Sequence, residues 1–376
     1  MQQTTIPDEY HQQSRDELTA RITERKQQLG DELVILGHHY QNDAVIRFAD
    51  FRGDSLKLSQ LAADQRDAKS IVFCGVHFMA ESADILSSDQ QAVYLPNIAA
   101  GCAMADMAED ADVQTALDEL QARRRGKVLP VTYVNSTAAI KAITGKAGGT
   151  CCTSSNVRNV YEWALRSEDN NGGGGDLIFA LPDQHLGRNT ALAMGIDEEQ
   201  ILVYNPLQPV GGLTDEQIAS ARVVLWQGHC YVHQLFTPEH VRQARSEHPD
   251  ATVIVHPECP REVVDLADAA GSTSQIIQAV ADAPPGSTLI VGTESNLVTR
   301  LNTQHADKTV LTLSDAPALC MQMARITLPH LAWTLDELAA GRSPNRVSVP
   351  DDVADDARIA LQRMISIRAV ENVHKR

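Results

Sequence analysis

Three pairs of chemistry-bearing residues stand two apart in this sequence: His38 and Tyr40, Tyr133 and Asn135, and His256 and Glu258. Residues two apart on an extended chain project from the same side, so each pair can face one substrate. Imidazole, phenol and carboxylate together form a set suited to moving protons. Cysteines follow the pairs at corresponding places. His38 to Cys102 and His256 to Cys320 each span 64 residues, and Tyr133 to Cys230 spans 97. Three thiolates without a fourth suit a [4Fe–4S] cluster with one iron left open. Such an iron is a Lewis acid for a hydroxyl or carboxylate oxygen. Zinc is the other metal to weigh: Cys230 and His233 in "GHCYVH" have C-x-x-H spacing, and a catalytic zinc needs three protein ligands.

A hydroxyl accompanies each pair. Ser55 lies 17 residues after His38, Thr273 lies 17 after His256, and Ser154 lies 21 after Tyr133. Each precedes a helical pattern, where an N-cap or an anion-binding group belongs. With Asn135 they would hold phosphate or carboxylate groups. The combination reads as a dehydratase or lyase for a small anionic substrate.

The elements that must position these groups recur three times. "ELVILGHHYQ", "VLPVTYVNST" and "ATVIVHPECP" are short apolar strands with polar ends. A further strand recurs in "SIVFCGVHF", "DLIFALPDQ" and "STLIVGTES", and a last one runs toward a cysteine in "AVYLPNIAAGC", "RVVLWQGHC" and "TVLTLSDAPALC". Strands alternating with helices predict parallel sheets, whose ligands bind beyond the carboxyl ends of the strands. The expected fold is α/β: three three-layer α/β/α repeats, pseudo-threefold related around a central active site. Their expected bounds are 1–110, 111–230 and 231–320, with the segment 321–376 packing back on the first. The glycine run in "EDNNGGGGD" (168–176) reads as a surface loop. "SRDELTARITERKQQL", "WTLDELAAG" and the stretch after Pro350 read as packing helices, the second capped by its threonine.

Composition narrows the partners. The 376 residues are 43% apolar and 22% charged, with net charge −17. An acidic chain without a basic patch argues against nucleic acid and membrane surfaces. No basic start followed by an apolar run opens the chain, and seven cysteines without C-x-x-C do not read as a disulfide framework, so a cytoplasmic location is expected. Cys74, Cys151, Cys152 and Cys259 read as packing thiols.

The stretches "GHHYQ", "GDSLKLSQLAA", "LPNIAAGCAMADM", "YVNSTAAIKA", "CTSSN", "LPDQHLGRN", "WQGHCYVH", "HPEC", "GSTSQII" and "GTESNLVTRL", in this order over about residues 30–330, resemble the quinolinate synthase family. The resemblance implies condensation of iminoaspartate with dihydroxyacetone phosphate, losing phosphate and water, to give quinolinate for NAD biosynthesis, and a functional link to an L-aspartate-oxidising enzyme. It implies cluster ligation by Cys102, Cys230 and Cys320. Substrate contacts would come from His38, Ser55, Tyr133, Asn135, Ser154, His256, Glu258 and Thr273, and acid/base chemistry from Tyr40 and Glu258 with His38, Tyr133 and His256. Where some members carry a C-x-x-C-x-x-C run ending at the third ligand, this chain has Ser314 and Pro317. Two other readings stand beside it. A diphthamide-type radical iron–sulfur enzyme would act on a protein, and an iron–sulfur sensor would need a partner-binding segment.

Overall fold

The computed structural model describes residues 6–64, 68–367 and 374–375. Three parallel sheets flanked by helices carry the chain. The first is built from β1 (Leu33–His38), β2 (Phe51–Gly53), β3 (Ser70–Cys74) and β4 (Ala92–Tyr94). The second contains β5 (Val128–Tyr133), β6 (Thr150–Cys152), β7 (Leu177–Leu181), β8 (Ile201–Tyr204) and β9 (Val223–Trp226). The third contains β10 (Thr252–Val255), β11 (Ala269–Ala270), β12 (Thr288–Gly292) and β13 (Thr309–Thr312). Two-residue antiparallel edges, β14 (Arg346–Val347) and β15 (His374–Lys375), pair with β4 and β11.

One spatial order repeats. The parallel strands run β4-β3-β1-β2, β9-β7-β5-β6 and β13-β12-β10-β11. The strand that ends in a polar pair is therefore interior in each sheet. Strands covered by helices on both faces read as continuous apolar runs. All six residues of β1 and all six of β5 are accordingly buried. The added length of the middle copy contains β8, which extends its sheet beyond β9, and the segment 168–176, a 3-10 turn at Glu168–Asn170 followed by a loop.

The chain divides into two compact units, 1–102 with 319–351, and 103–318 with 352–376. In the first unit, the helix Arg15–Leu29 starts at a capping box formed by Ser14 and Glu17. Its Arg21 and Arg25 both bind Asp336 of the helix Leu328–Ala339. That helix begins well before Thr334, the threonine expected to cap it; Thr334 sits mid-helix and donates to the His330 carbonyl. In the second unit, Phe179, Tyr204 and Trp226 anchor a buried cluster, with Tyr204 stacked on Trp226 at 5.9 Å. The helix Asp351–Ser366 lies close against the helix Ala138–Lys146, where a Cβ at Gly145 would run into the Asp356 carbonyl. No helix among the described residues is long and apolar enough to cross a membrane.

Candidate active site

In the second unit the ends of β5, β7, β9, β10 and β12 supply a buried polar cluster. Val255 is in register with Gly292, and the His256 N–H donates to the Gly292 carbonyl at 3.0 Å. The residues just past these two strands, His256 and Glu258 on one side and Thr293 on the other, therefore emerge together. Asp183, just past β7, bridges to the Gly228 backbone and accepts the Cys230 N–H at 3.1 Å. That bond fixes the start of the short helix Tyr231–Gln234, which carries His233 inward.

Glu258 is 2% exposed. Its Oε2 lies 2.9 Å from His233 Nδ1, and its Oε1 lies 4.0 Å from His256 Nδ1. The imidazoles of His233 and His256 stack at 4.3 Å, and His233 Nε2 reaches Thr293 Oγ1 at 3.1 Å. Burial by itself would raise the Glu258 carboxyl. The His256 and His233 charges and the hydrogen bonds from His233 and Tyr133 outweigh burial and hold it near 2. Asp183 moves the other way, raised well above the carboxylate range by burial first and then by the Glu258 charge. One carboxylate kept ionised beside another pushed toward its neutral form is an arrangement able to separate acid and base roles.

The sequence-expected residues fall as follows. Tyr133, His256 and Glu258 come together in this cluster. Asn135, just past β5, has a buried Oδ1 with no hydrogen-bond partner among the described residues, so a donor supplied by a ligand would satisfy it. Thr273 opens the helix Thr273–Asp282, and Ser154 lies shortly before the helix Val157–Leu165. Their neighbours Ser155 and Ser272 meet hydroxyl to hydroxyl at 3.0 Å, which brings these two helix starts together. The capping role lies one residue before the expected hydroxyl: Ser272, not Thr273, accepts the Gln275 N–H. In the first unit Asp54, not Ser55, accepts the Lys57 N–H at 2.9 Å, and Ser55 is the first residue of the helix Ser55–Asp64. There His38 and Tyr40 meet edge to face at 4.7 Å, and the Tyr40 N–H donates to His38 Nδ1 at 3.1 Å.

The cysteines separate into two classes. Cys102, Cys230 and Cys320, each in the loop beyond the corresponding strand β4, β9 or β13, are half-buried. Cys74, Cys151, Cys152 and Cys259 are fully buried, and burial pushes Cys74 and Cys151 to about 12 and the other two well upward. Metal ligation needs thiolate, so the chemistry of this donor set suits ligation by the first three and not by the other four. Ligand atoms of Cys230, His233 and Glu258 also lie within 4.8 Å of one another. Sequence reasoning named His233 only as a zinc candidate, and it missed Asp183 and Thr293. Thr293 directly follows β12 and Asp183 lies two residues past β7, both inside stretches already singled out by pattern, which was the available signal.

The family model "Quinolinate synthetase A protein" matches residues 20–366. The quinolinate synthase of Corynebacterium glutamicum is 50% identical over 366 residues, covering 97% of this chain and 91% of that protein. That of Anoxybacillus flavithermus is 49% identical over 365 residues, covering 97% of each. That of Acidobacterium capsulatum is 50% identical over 352 residues, covering 93% and 92%. With the family model matched over residues 20–366 and near-complete coverage of relatives at this identity, the chain belongs to the quinolinate synthetase A family.

Proposed function

We propose that this chain is a quinolinate synthase of NAD biosynthesis, acting in the cytoplasm, which condenses iminoaspartate with dihydroxyacetone phosphate and releases phosphate and water. The observation that carries the reading is the Glu258 carboxylate, buried yet held ionised by His256, His233 and Tyr133. A buried, ionised carboxylate is a base sheltered from solvent, and successive proton removals are what condensation, ring closure and dehydration require.

In this reading Cys102, Cys230 and Cys320 hold a [4Fe–4S] cluster, a role their half-buried thiols suit. When bound, the cluster supplies a Lewis-acidic iron without a protein ligand. Glu258 takes protons from carbon or nitrogen, and Tyr133 and Tyr40 return them to departing oxygens. His38 and His256 orient the carbonyl and carboxylate groups. Ser55, Ser154 and Thr273, with the N–H groups of the helices they stand beside, hold the anionic ends. Asn135 Oδ1 accepts from the substrate nitrogen. An iminoaspartate substrate implies an L-aspartate-oxidising enzyme as its source.

The test is anaerobic purification with iron and sulfide counts, followed by a quinolinate assay with both substrates. The same measurements are made on Cys102→Ser, Cys230→Ser and Cys320→Ser. About four irons and quinolinate in the parent, with both lost in each variant, is the expected result. Iron without quinolinate would overturn the substrates. The closeness of Cys230, His233 and Glu258 favours one second reading, a mononuclear metal site. Zinc in place of iron in the purified protein would establish it.

A further inference from the structure

His233 has no step in the reaction proposed above, yet it is among the most enclosed polar side chains of the molecule, 1% exposed. Both ring nitrogens are engaged, Nδ1 with Glu258 Oε2 at 2.9 Å and Nε2 with Thr293 Oγ1 at 3.1 Å. An ionised Glu258 can only accept, so Nδ1 carries a hydrogen. The Thr293 hydroxyl can donate to Nε2 or accept from it, so this bond holds the ring whichever nitrogen-bound hydrogens it carries. The bond to Glu258 has one direction, Nδ1–H to Oε2.

The ring has little freedom to answer in any other way. It is stacked on His256 at 4.3 Å with 15° between the planes, and its backbone lies on the helix Tyr231–Gln234. A glutamate's last torsion is by contrast broad and two-fold, so an unheld carboxylate turns easily. A bond from a fixed donor to one oxygen removes that freedom.

We propose that His233 is a positioning residue that fixes the rotation of the Glu258 carboxylate through its Nδ1–H bond, so that Oε1 is the oxygen presented for proton transfer. The proposal rests on the quinolinate synthase reading for its role in turnover. The hydrogen bond itself can be tested without that reading.

An asparagine at this position places an amide nitrogen near Nδ1, and a glutamine places one near Nε2. We therefore compare kcat, KM and iron content of His233→Asn, His233→Gln and His233→Leu with the parent. His233→Gln and His233→Leu are expected to lose kcat by about 10- to 100-fold with KM for both substrates nearly unchanged. His233→Asn should keep kcat within about five-fold of the parent, since a bond to a preoriented donor is retained. All three should keep the parent's iron. A His233→Asn enzyme no better than His233→Gln would overturn the proposal, as would iron lost from His233→Leu, which would make the residue a support of the metal. A second measurement does not depend on the variants folding: the ¹⁵N spectrum of histidine-labelled, cluster-loaded parent protein. A His233 ring with a hydrogen on Nδ1 supports the proposal, whether or not Nε2 also carries one, and a ring with its hydrogen on Nε2 alone overturns it. If the parent makes no quinolinate, the functional reading fails, and the tautomer still decides the hydrogen bond.

Discussion

Asn189 ties the turn that carries Glu258 to the helix Gln184–Ala193. Its amide nitrogen donates to the Pro257 carbonyl at 2.8 Å and to the Cys259 carbonyl at 2.9 Å, the two that flank Glu258. The side chain is buried, and its Oδ1 has no partner among the described residues. Asn189→Leu keeps the volume and removes both donors. Each stranded carbonyl costs about 1–3 kcal/mol, offset by about 1 kcal/mol because an unpartnered acceptor also leaves. The net loss from the two carbonyls is therefore about 1–5 kcal/mol. For a unit of this size that corresponds to a fall in Tm of roughly 2–20 °C. Asn189→Asp separates donation from packing, because the carboxylate has nearly the same shape and would point acceptors at acceptors. It is expected to be at least as damaging as leucine. Thermal and denaturant unfolding of the three proteins gives the order, and kcat should fall in both variants as the Glu258 turn loosens. An Asn189→Asp protein within about 0.5 kcal/mol of the parent would refute the reasoning, since packing alone would then account for the residue.

Native alkylation of cluster-free protein near pH 8 should label Cys102, Cys230 and Cys320 and spare Cys74 and Cys151, whose burial holds them near 12; peptide mass analysis showing label at Cys151 would contradict this. His330 is lowered to about 4 by burial first and by His11 second. Its unfolded form takes up a proton below about 6.5 while the folded form resists, so this contribution to stability is lost as pH falls from there toward 4. His330→Gln should flatten that limb of Tm against pH, and an unchanged limb would assign it to other groups. Replacing Asp336 by Asn should loosen the packing of the helices Arg15–Leu29 and Leu328–Ala339, because Arg21 and Arg25 lose their shared carboxylate. Hydrogen exchange in those two helices is the readout, and unaltered protection would count against the pairing.

Much of the framework is legible in the sequence because its signals are local. An apolar run ending in His38, Tyr133 or His256 marks a strand between helices, and its buried pattern requires no distant partner to recognise. The capping box at Ser14 and Glu17 is likewise a matter of four consecutive residues. Signals that depend on one residue's exact place are less legible. Ser55 and Thr273 were expected at helix starts and are there, but Asp54 and Ser272 hold the caps, because the first helical residue is set by which side chain reaches the backbone. The strand β8 went unread: "ILVY" lies in the longer middle copy and has no counterpart in the other two.

The sequence by itself determined the alternation of strand and helix, the three polar pairs at strand ends, and which cysteines recur with them. These follow from hydrophobic period and spacing, which a chain carries before it folds. Tertiary structure decided how those groups meet. Only the pairing of β10 with β12 brings His256 beside Thr293, and only the bond from Cys230 to Asp183 turns His233 onto Glu258. Those contacts join residues tens of positions apart. Their effect, an ionised carboxylate in a buried site, arises from burial and neighbouring charge acting together, and neither exists along an extended chain.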